Sequence, residues 1–327
     1  MNYLFIVNPK AGKKSCEERI RQGVSSLGES FLSENNVEIK LTEYMGHATE
    51  IAKEAASKGE KIRIYACGGD GTLSEVINGA YGFENCEVGV IPVGTGNDFA
   101  KTVAESVGAQ GKDAVQTAFS DFKTLVLGES RPTDLIEACG KLSINVTCVG
   151  FDADAAAGVH KFSKLPLVSG KMAYKLSVLK CLISWVKHDF KVIVDGEEID
   201  NKNYLLAVAA NARYYGGGYK CAPEADATDG LIDFLWVPTM SRFKFLRLVG
   251  YYEKGEHLKR FDICKLIKCK SVQICSDKPV ELCIDGESVT EINPVIKVLD
   301  TKINFIYPKI KNELSNALKR DTIVAVN

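Results

Sequence analysis

Three short apolar runs, YLFIV at 3–7, KIRIYA at 61–66 and VGVIPVG at 88–94, each lead straight into a loop rich in glycine. Those loops read Asn8-Pro9-Lys10-Ala11-Gly12, Gly68-Gly69-Asp70-Gly71-Thr72 and Gly94-Thr95-Gly96-Asn97-Asp98. Helical patterns at 15–30, 48–59 and 74–82 and another β run at 37–43 lie between and around them. Strand, helix, strand at this spacing predicts a parallel sheet with crossover helices. In such a sheet the loops that follow strands leave one edge, where ligands bind, so all three should converge on one crevice.

A chain of 327 residues exceeds what one compact core usually holds. Past residue 130 the texture changes: KLSINVTCVGF, FKVIVDGEEI, KNYLLAVAANA, GLIDFLWV, KSVQICS and VELCIDGE read as strands joined by turns. Helices are expected at 170–187 and 241–254. Gly128, Ser130 and Pro132 cluster at the change. The expectation is an α/β domain over 1–130, a domain dominated by antiparallel sheet over 131–305, and a closing segment over 306–327 whose KIKNELSNALKR pattern is helical and packs back on the first domain.

With 41 basic and 42 acidic residues, no overall field draws the chain to nucleic acid or to an anionic membrane. Eleven cysteines, odd in number and often inside apolar runs, read as reduced thiols of a cytoplasmic protein. MNYLFIVNPK lacks the apolar length and cationic start of a signal peptide. The most apolar window, Leu176–Val186, is broken by Lys180 and Ser184. Any lipid chemistry here belongs to a protein that visits the membrane peripherally.

Glycine lets a ligand reach backbone N–H groups with no Cβ in the way, and a helix start adds partial positive charge, so such loops cradle phosphate. Asp70 inside an anion-binding loop has two readings: it holds a divalent cation or a hydroxyl between itself and phosphates, or it caps the helix beginning near Leu73. A Walker A loop is excluded, because Lys14 stands where Ser or Thr is needed. The dinucleotide fingerprint fails too, since Phe99 follows Gly94 and Gly96 where a glycine is required.

"NPKAG", "GGDGTLSEVINGA" and "IPVGTGNDFA" closely resemble the nucleotide-binding loops of the soluble bacterial diacylglycerol kinases, the lipid kinase family that includes sphingosine and ceramide kinases. The resemblance extends to "NARYYGGGYKCAPEADATDGLIDF" at 211–234 and "CIDGES" at 283–288. GGDGT alone is shared with NAD kinases; the ordered set is far more specific. The resemblance implies an α/β domain like that of NAD kinase and phosphofructokinase, then a β-sandwich domain that takes the lipid, with catalysis in the cleft between them. It implies ATP held by Asn8, Pro9, Lys10, Ala11 and Gly12, by Thr42, by Gly68, Gly69, Asp70, Gly71, Thr72, Leu73 and Ser74, and by Gly94 and Thr95, with Gly96, Asn97 and Asp98 completing the third loop. Dimers occur in the family, so a homodimer is within expectation.

In "PEADATDGL", Asp226 and Asp229 lie three apart in a turn and the carbonyl of Leu231 adds an oxygen, hard ligands suited to Mg²⁺ or Ca²⁺. The resemblance makes this a Mg²⁺ site; without it the stretch is a solvated turn. "Cys283-Ile284-Asp285-Gly286-Glu287" places two carboxylates around a glycine, an ordinary hairpin tip by pattern. A kinase acting on an alcohol needs a carboxylate at the hydroxyl, and the resemblance puts that base at Glu287 or Asp285. A second such tripeptide, Asp195-Gly196-Glu197, reads as an ordinary turn.

The segment 160–190 mixes lysines with large apolar residues. It is either a helix lining an acyl cleft, with Lys161, Lys164 and Lys171 at lipid headgroups, or an amphipathic core helix with a solvated face. Lys10, Lys13, Lys14 and Lys101 raise the same question beside the nucleotide. His47, His160, His188 and His257 show no ligand spacing. The leading expectation is an ATP- and Mg²⁺-dependent lipid kinase that phosphorylates diacylglycerol; the alternatives are a kinase of a soluble acceptor and a nucleotide-binding regulator without turnover.

Overall fold

Near-continuous apolar runs such as Leu4–Val7 need cover on both faces, which a parallel sheet between helices supplies. In the computed structural model, residues 1–12, 15–111, 113–162, 170–185, 188–199 and 203–309 are described. The chain forms two units: Met1–Thr133 with Ile303–Asn327, and Asp134–Lys302. The first contains β1 (Asn2–Val7), α1 (Cys16–Ser25), α2 (Glu29–Glu34), β2 (Asn36–Leu41), α3 (His47–Ala56), β3 (Ile62–Gly68), α4 (Asp70–Ala80), β4 (Cys86–Pro92), α5 (Asp98–Ser106), α6 (Ala114–Phe119), α7 (Phe122–Val126) and β5 (Glu129–Thr133).

The second unit contains β6 (Ile136–Ala138), β7 (Lys141–Ser143), β8 (Val146–Gly150), α8 (Phe151–Phe162), α9 (Gly170–Ser184), β9 (Lys191–Val194), β10 (Glu197–Glu198), β11 (Tyr204–Ala210), β12 (Ile232–Pro238), α10 (Arg242–Glu253), α11 (His257–Arg260), β13 (Lys265–Cys269), β14 (Ser271–Cys275), β15 (Val280–Ile284), β16 (Glu287–Glu291) and β17 (Val295–Val298). The chain then returns to the first unit as β18 (Ile303–Tyr307).

The first sheet runs β2-β1-β3-β4-β18-β5. All its neighbours are parallel except β5, which pairs antiparallel with β18. Strand order reverses between β1 and β3, the switch point at which ligands enter such sheets. Phe5 stacks on Tyr65 at 5.0 Å, and the Tyr65 hydroxyl donates to the Val126 carbonyl at 2.8 Å. The predicted closing helix, KIKNELSNALKR at 309–320, falls, apart from Lys309, outside the described residues.

The second unit has two antiparallel sheets, β10-β9-β14-β17-β6-β7 and β13-β12-β11-β8-β15-β16. Side chains of both, among them Val192, Val272, Ile296, Ala207, Phe234 and Leu282, form one core. The other face of the second sheet is covered by Phe151 of α8 and by Phe245 and Leu248 of α10. β11 is therefore buried on both faces, which explains its unbroken apolar sequence YLLAVAA. A register shift between Tyr204 and Leu206 turns Leu205 and Leu206 to the same side.

Sequence periodicity missed α8. It begins directly after β8 at Gly150, whose φ of +100° only glycine adopts readily and where a Cβ would lie 2.6 Å from the Leu205 carbonyl oxygen. Small residues then let α9 approach: a Cβ on Gly158 would lie 2.0 Å from Ser177 Oγ, and Ser177 donates to the Ala155 carbonyl at 2.6 Å.

Beneath α8 the Asp152 carboxylate accepts a short hydrogen bond from the Tyr215 hydroxyl, itself 3.1 Å from that of Tyr252. Burial pushes the Asp152 carboxyl up to about 6. A carboxyl that holds its proton more tightly folded than unfolded stabilises the fold at low pH and loses that contribution as pH rises. At about 1.4 kcal/mol per pH unit, roughly 2 kcal/mol disappears between about pH 4 and pH 6.5. Urea unfolding across that range should show this slope in the wild type minus Asp152→Asn difference; a flat difference would refute it.

Candidate active site

The three glycine loops of the first unit interlock. Asn8 Nδ2 lies 3.4 Å from Thr72 Oγ1, and the amides of Val93 and Gly94 both donate to the Gly68 carbonyl, at 3.0 and 3.1 Å. A Cβ on Gly94 would lie 2.5 Å from Gly69 Cα, and one on Gly12, at φ +80°, 2.5 Å from the Val93 carbonyl oxygen. These two glycines therefore let loop pack on loop. At Gly71 a Cβ would meet nothing within 4 Å, leaving the first turn of α4 open on that side.

Thr42 follows β2, where its amide donates to Val7 at 2.9 Å, so it stands beside the end of β1. Pro9, Lys10 and Ala11 lie in a turn in which the Lys10 amide donates to Asn8 Oδ1 and the Ala11 amide to the Asn8 carbonyl. Lys13 and Lys14 lie outside the described residues. Leu73 and Ser74 are buried in α4, whereas Thr95 and Gly96 sit in the loop before α5.

Asp70 departs from the capping expectation. The α4 helix starts at Asp70 itself, with Gly69 at the N-cap and no side chain capping it. Asp70 Oδ1 instead accepts from the amides of Asp98 and Phe99, at 2.7 and 3.3 Å, so it caps α5 across the crevice. Asn97 adopts a left-handed φ of 53° at that N-cap and donates to the Gly94 carbonyl at 2.8 Å. Asp98 pairs with Lys101 at 2.7 Å. Asn97 Oδ1 is buried without a hydrogen-bond partner among the described residues. The loops thus present the open first turn of α4, whose amides are donors that fit nucleotide phosphates, whereas the orphan Asn97 Oδ1 acceptor suits a hydroxyl or N–H donor instead.

In the second unit the two Asp-Gly-Glu tripeptides adopt the same turn. Asp195 and Gly196 have φ of 49° and 90°, Asp285 and Gly286 46° and 93°, the positive pair that a two-residue hairpin needs. Asp195 Oδ1 accepts from the Ser271 amide at 2.8 Å and the Lys270 amide at 3.0 Å. Asp285 accepts from Ser143 Oγ at 2.7 Å and from the amides of Ile144, Asn145 and Val146 at 2.9, 3.2 and 2.9 Å. Burial raises its carboxyl above the ordinary value while these donors pull it back. Glu287 is exposed and pairs with Lys141 at 2.5 Å.

Asp226 Oδ1 closes a turn on the amide and hydroxyl of Thr228, at 3.0 and 2.7 Å. Asp229 Oδ1 accepts from the Leu231 amide at 3.0 Å. Its Oδ2 meets the Lys268 ammonium at 2.7 Å, which also reaches Asp233 at 2.9 Å. The oxygens have the hardness Mg²⁺ prefers, but the positive charge among them is that of Lys268. Among the described residues no group of three or more His, Cys, Asp or Glu is arranged to hold a metal. Lys268, Lys141 and the buried Asp134, which pairs with Lys302 at 2.7 Å and accepts from the Gly230 amide at 2.6 Å, carry no sequence signal. They come from strands and loops remote in sequence.

The diacylglycerol kinase catalytic domain model matches residues 2–138, and that of the YegS C-terminal NAD kinase beta sandwich-like domain matches residues 145–307. The diacylglycerol kinase of Bacillus subtilis is 29% identical over 94% of this chain and 97% of its own length. A protein of Pseudomonas aeruginosa named as a YegS-like lipid kinase is 30% identical over 70% of each chain. The chain belongs to the diacylglycerol kinase family of lipid kinases. A crystal structure of a diacylglycerol kinase from Bacillus anthracis, 23% identical, shares the fold with a TM-score of 0.65 over 94% of this chain and 96% of that one. The α/β unit followed by a β-sandwich is the architecture of this family of lipid kinases, and membership implies ATP as phosphoryl donor. No helix among the described residues is long and apolar enough to cross a membrane.

Proposed function

We propose that this kinase transfers the γ-phosphate of ATP to the free hydroxyl of diacylglycerol, giving phosphatidic acid and ADP, at the cytoplasmic surface of a membrane. The interlocked loops carry the reading on the nucleotide side. The name of the Bacillus subtilis relative, matched over nearly the whole of both chains, supports the acceptor.

Asn8–Gly12, Thr42, Gly68–Ser74 and Gly94–Thr95 line the nucleotide site in this reading, with the first turn of α4 turned to the phosphates. Asp70 acts as a positioning residue that holds the third loop, Gly96–Asp98, against the second. The acceptor oxygen bonds to the γ-phosphorus, the bond from that phosphorus to the β,γ-bridging oxygen breaks, and the hydroxyl proton passes to Glu287. In this reading Glu287 is the base, and Asp285, whose oxygens are engaged by four donors, sets the hairpin that presents it. Asp226, Asp229 and the Leu231 carbonyl would hold Mg²⁺ on exchange for the Lys268 ammonium. Mg²⁺ supplies neutralisation of phosphate charge when bound.

Purified protein given γ-labelled ATP, Mg²⁺ and mixed micelles of diacylglycerol should yield a labelled, chloroform-soluble product with the mass of phosphatidic acid. Label that enters a different lipid from total extracts, with none on diacylglycerol, would refute the acceptor.

A further inference from the structure

The start of α10 and the end of α9 lie side by side. Arg242 Nη2 donates to the Ile183 carbonyl at 2.8 Å, Trp185 Nε1 donates to the Met240 carbonyl at 3.1 Å, and the Trp185 ring packs on Phe245 at 5.4 Å. α10 buries Phe245, Leu248 and Tyr252. Its opposite face leaves Phe243 86% and Leu246 55% exposed, beside Ile183 at 66% and Leu179 at 52% on α9. A water-soluble surface gains nothing from four large apolar side chains grouped in this way.

Basic residues flank them. Arg242, Lys244 and Arg247 on α10 and Lys180 on α9 are exposed, and none forms an ion pair with a carboxylate among the described residues. The first turn of α10 has no acidic residue. Arg242 is held by the Ile183 carbonyl and lies over the Trp185 ring, but cations at a helix amino terminus oppose the helix dipole, so the stability of α10 does not account for Lys244 and Arg247. An anion outside the protein would complement them.

We propose that this face docks the kinase onto an anionic phospholipid bilayer, Phe243, Leu246, Ile183 and Leu179 entering the acyl boundary while Lys180, Arg242, Lys244 and Arg247 meet the phosphates. Apolar residues interleaved with basic ones are the chemistry of interfacial helices, and the long basic side chains reach the headgroup level from beside the apolar group. The proposal rests on the lipid kinase reading only for its purpose: an acceptor confined to a bilayer requires the enzyme to come to it.

The test is co-sedimentation with vesicles of phosphatidylcholine alone or with one third phosphatidylglycerol, lacking diacylglycerol and nucleotide. The wild type should bind the anionic vesicles and release them in high salt. Phe243→Ser with Leu246→Ser, and separately Lys244→Glu with Arg247→Glu, should each lower binding about tenfold or more. Melting temperature and turnover of a short-chain, monomerically dissolved diacylglycerol should not change. Wild-type protein that ignores anionic vesicles, or variants that bind them as the wild type does, would overturn docking. So would a wild-type dimer that either variant turns into monomer, which would make the face a contact between copies. Binding lost in the variants, with no form phosphorylating diacylglycerol, would sustain docking and overturn the acceptor reading instead.

Discussion

Replacing Glu287 with glutamine should lower kcat by about a thousandfold while leaving ATP affinity and unfolding midpoint unchanged, the signature of a lost general base. Glu287 is 48% exposed and, among the described residues, pairs with Lys141, itself 45% exposed. Surface pairs of this kind contribute at most about 1 kcal/mol, so the fold should not register the change. Initial rates at saturating ATP, nucleotide titration by calorimetry and a thermal melt give the three readouts. A variant that keeps wild-type kcat would remove Glu287 from the chemistry; one that melts well below the wild type would make it structural.

Asp285→Ala should do the opposite and destabilise the second unit by about 4 kcal/mol. A hydroxyl and three amides lose one shared acceptor, and hydrogen bonds to a charged group are worth about 1.5–3 kcal/mol each, partly recovered by water. Alanine must also adopt the left-handed φ of 46°, at a further ~1 kcal/mol. Asp285→Asn keeps an acceptor and tolerates that φ, so it should lose about 1 kcal/mol and retain most of kcat. Denaturant titration checks the order Ala, Asn, wild type. An Asp285→Asn protein that is fully stable but inactive would return the base to Asp285.

The strand-loop-helix order of the first unit was legible because parallel strands buried on both faces must be apolar throughout, and because loops at their ends must turn sharply. β1, β3 and β4 lie where YLFIV, KIRIYA and VGVIPVG lie. α8 was not legible: its FDADAAAGVHKF run has too few large apolar residues for a helical stripe, since α9 packs on it through Gly158 rather than across a row of leucines. Nor was β18 legible as a member of the first sheet. INFIY reads as a strand anywhere, and only pairing with β4 and β5 sets its place.

At the site, glycine content marked the three loops, and for two of the glycines the structure adds a packing reason. Gly12 lies against the backbone of Val93 and Gly94 against that of Gly69, contacts between segments remote in sequence that spacing cannot reveal. The two Asp-Gly-Glu turns are alike in pattern and in dihedral angles, so only the resemblance of CIDGES to the family separates them.

Residue order by itself determined the family, the division into an α/β unit and a β-sandwich, and the positions of the glycine loops, because local periodicity and turn chemistry act over a few residues. Tertiary structure alone decided what each carboxylate does. Asp70 caps α5, Asp285 holds a strand entry, Asp229 meets Lys268, and Glu287 stays exposed. A carboxylate takes its role from the donors and charges within a few ångströms, and the fold brings those from distant parts of the chain.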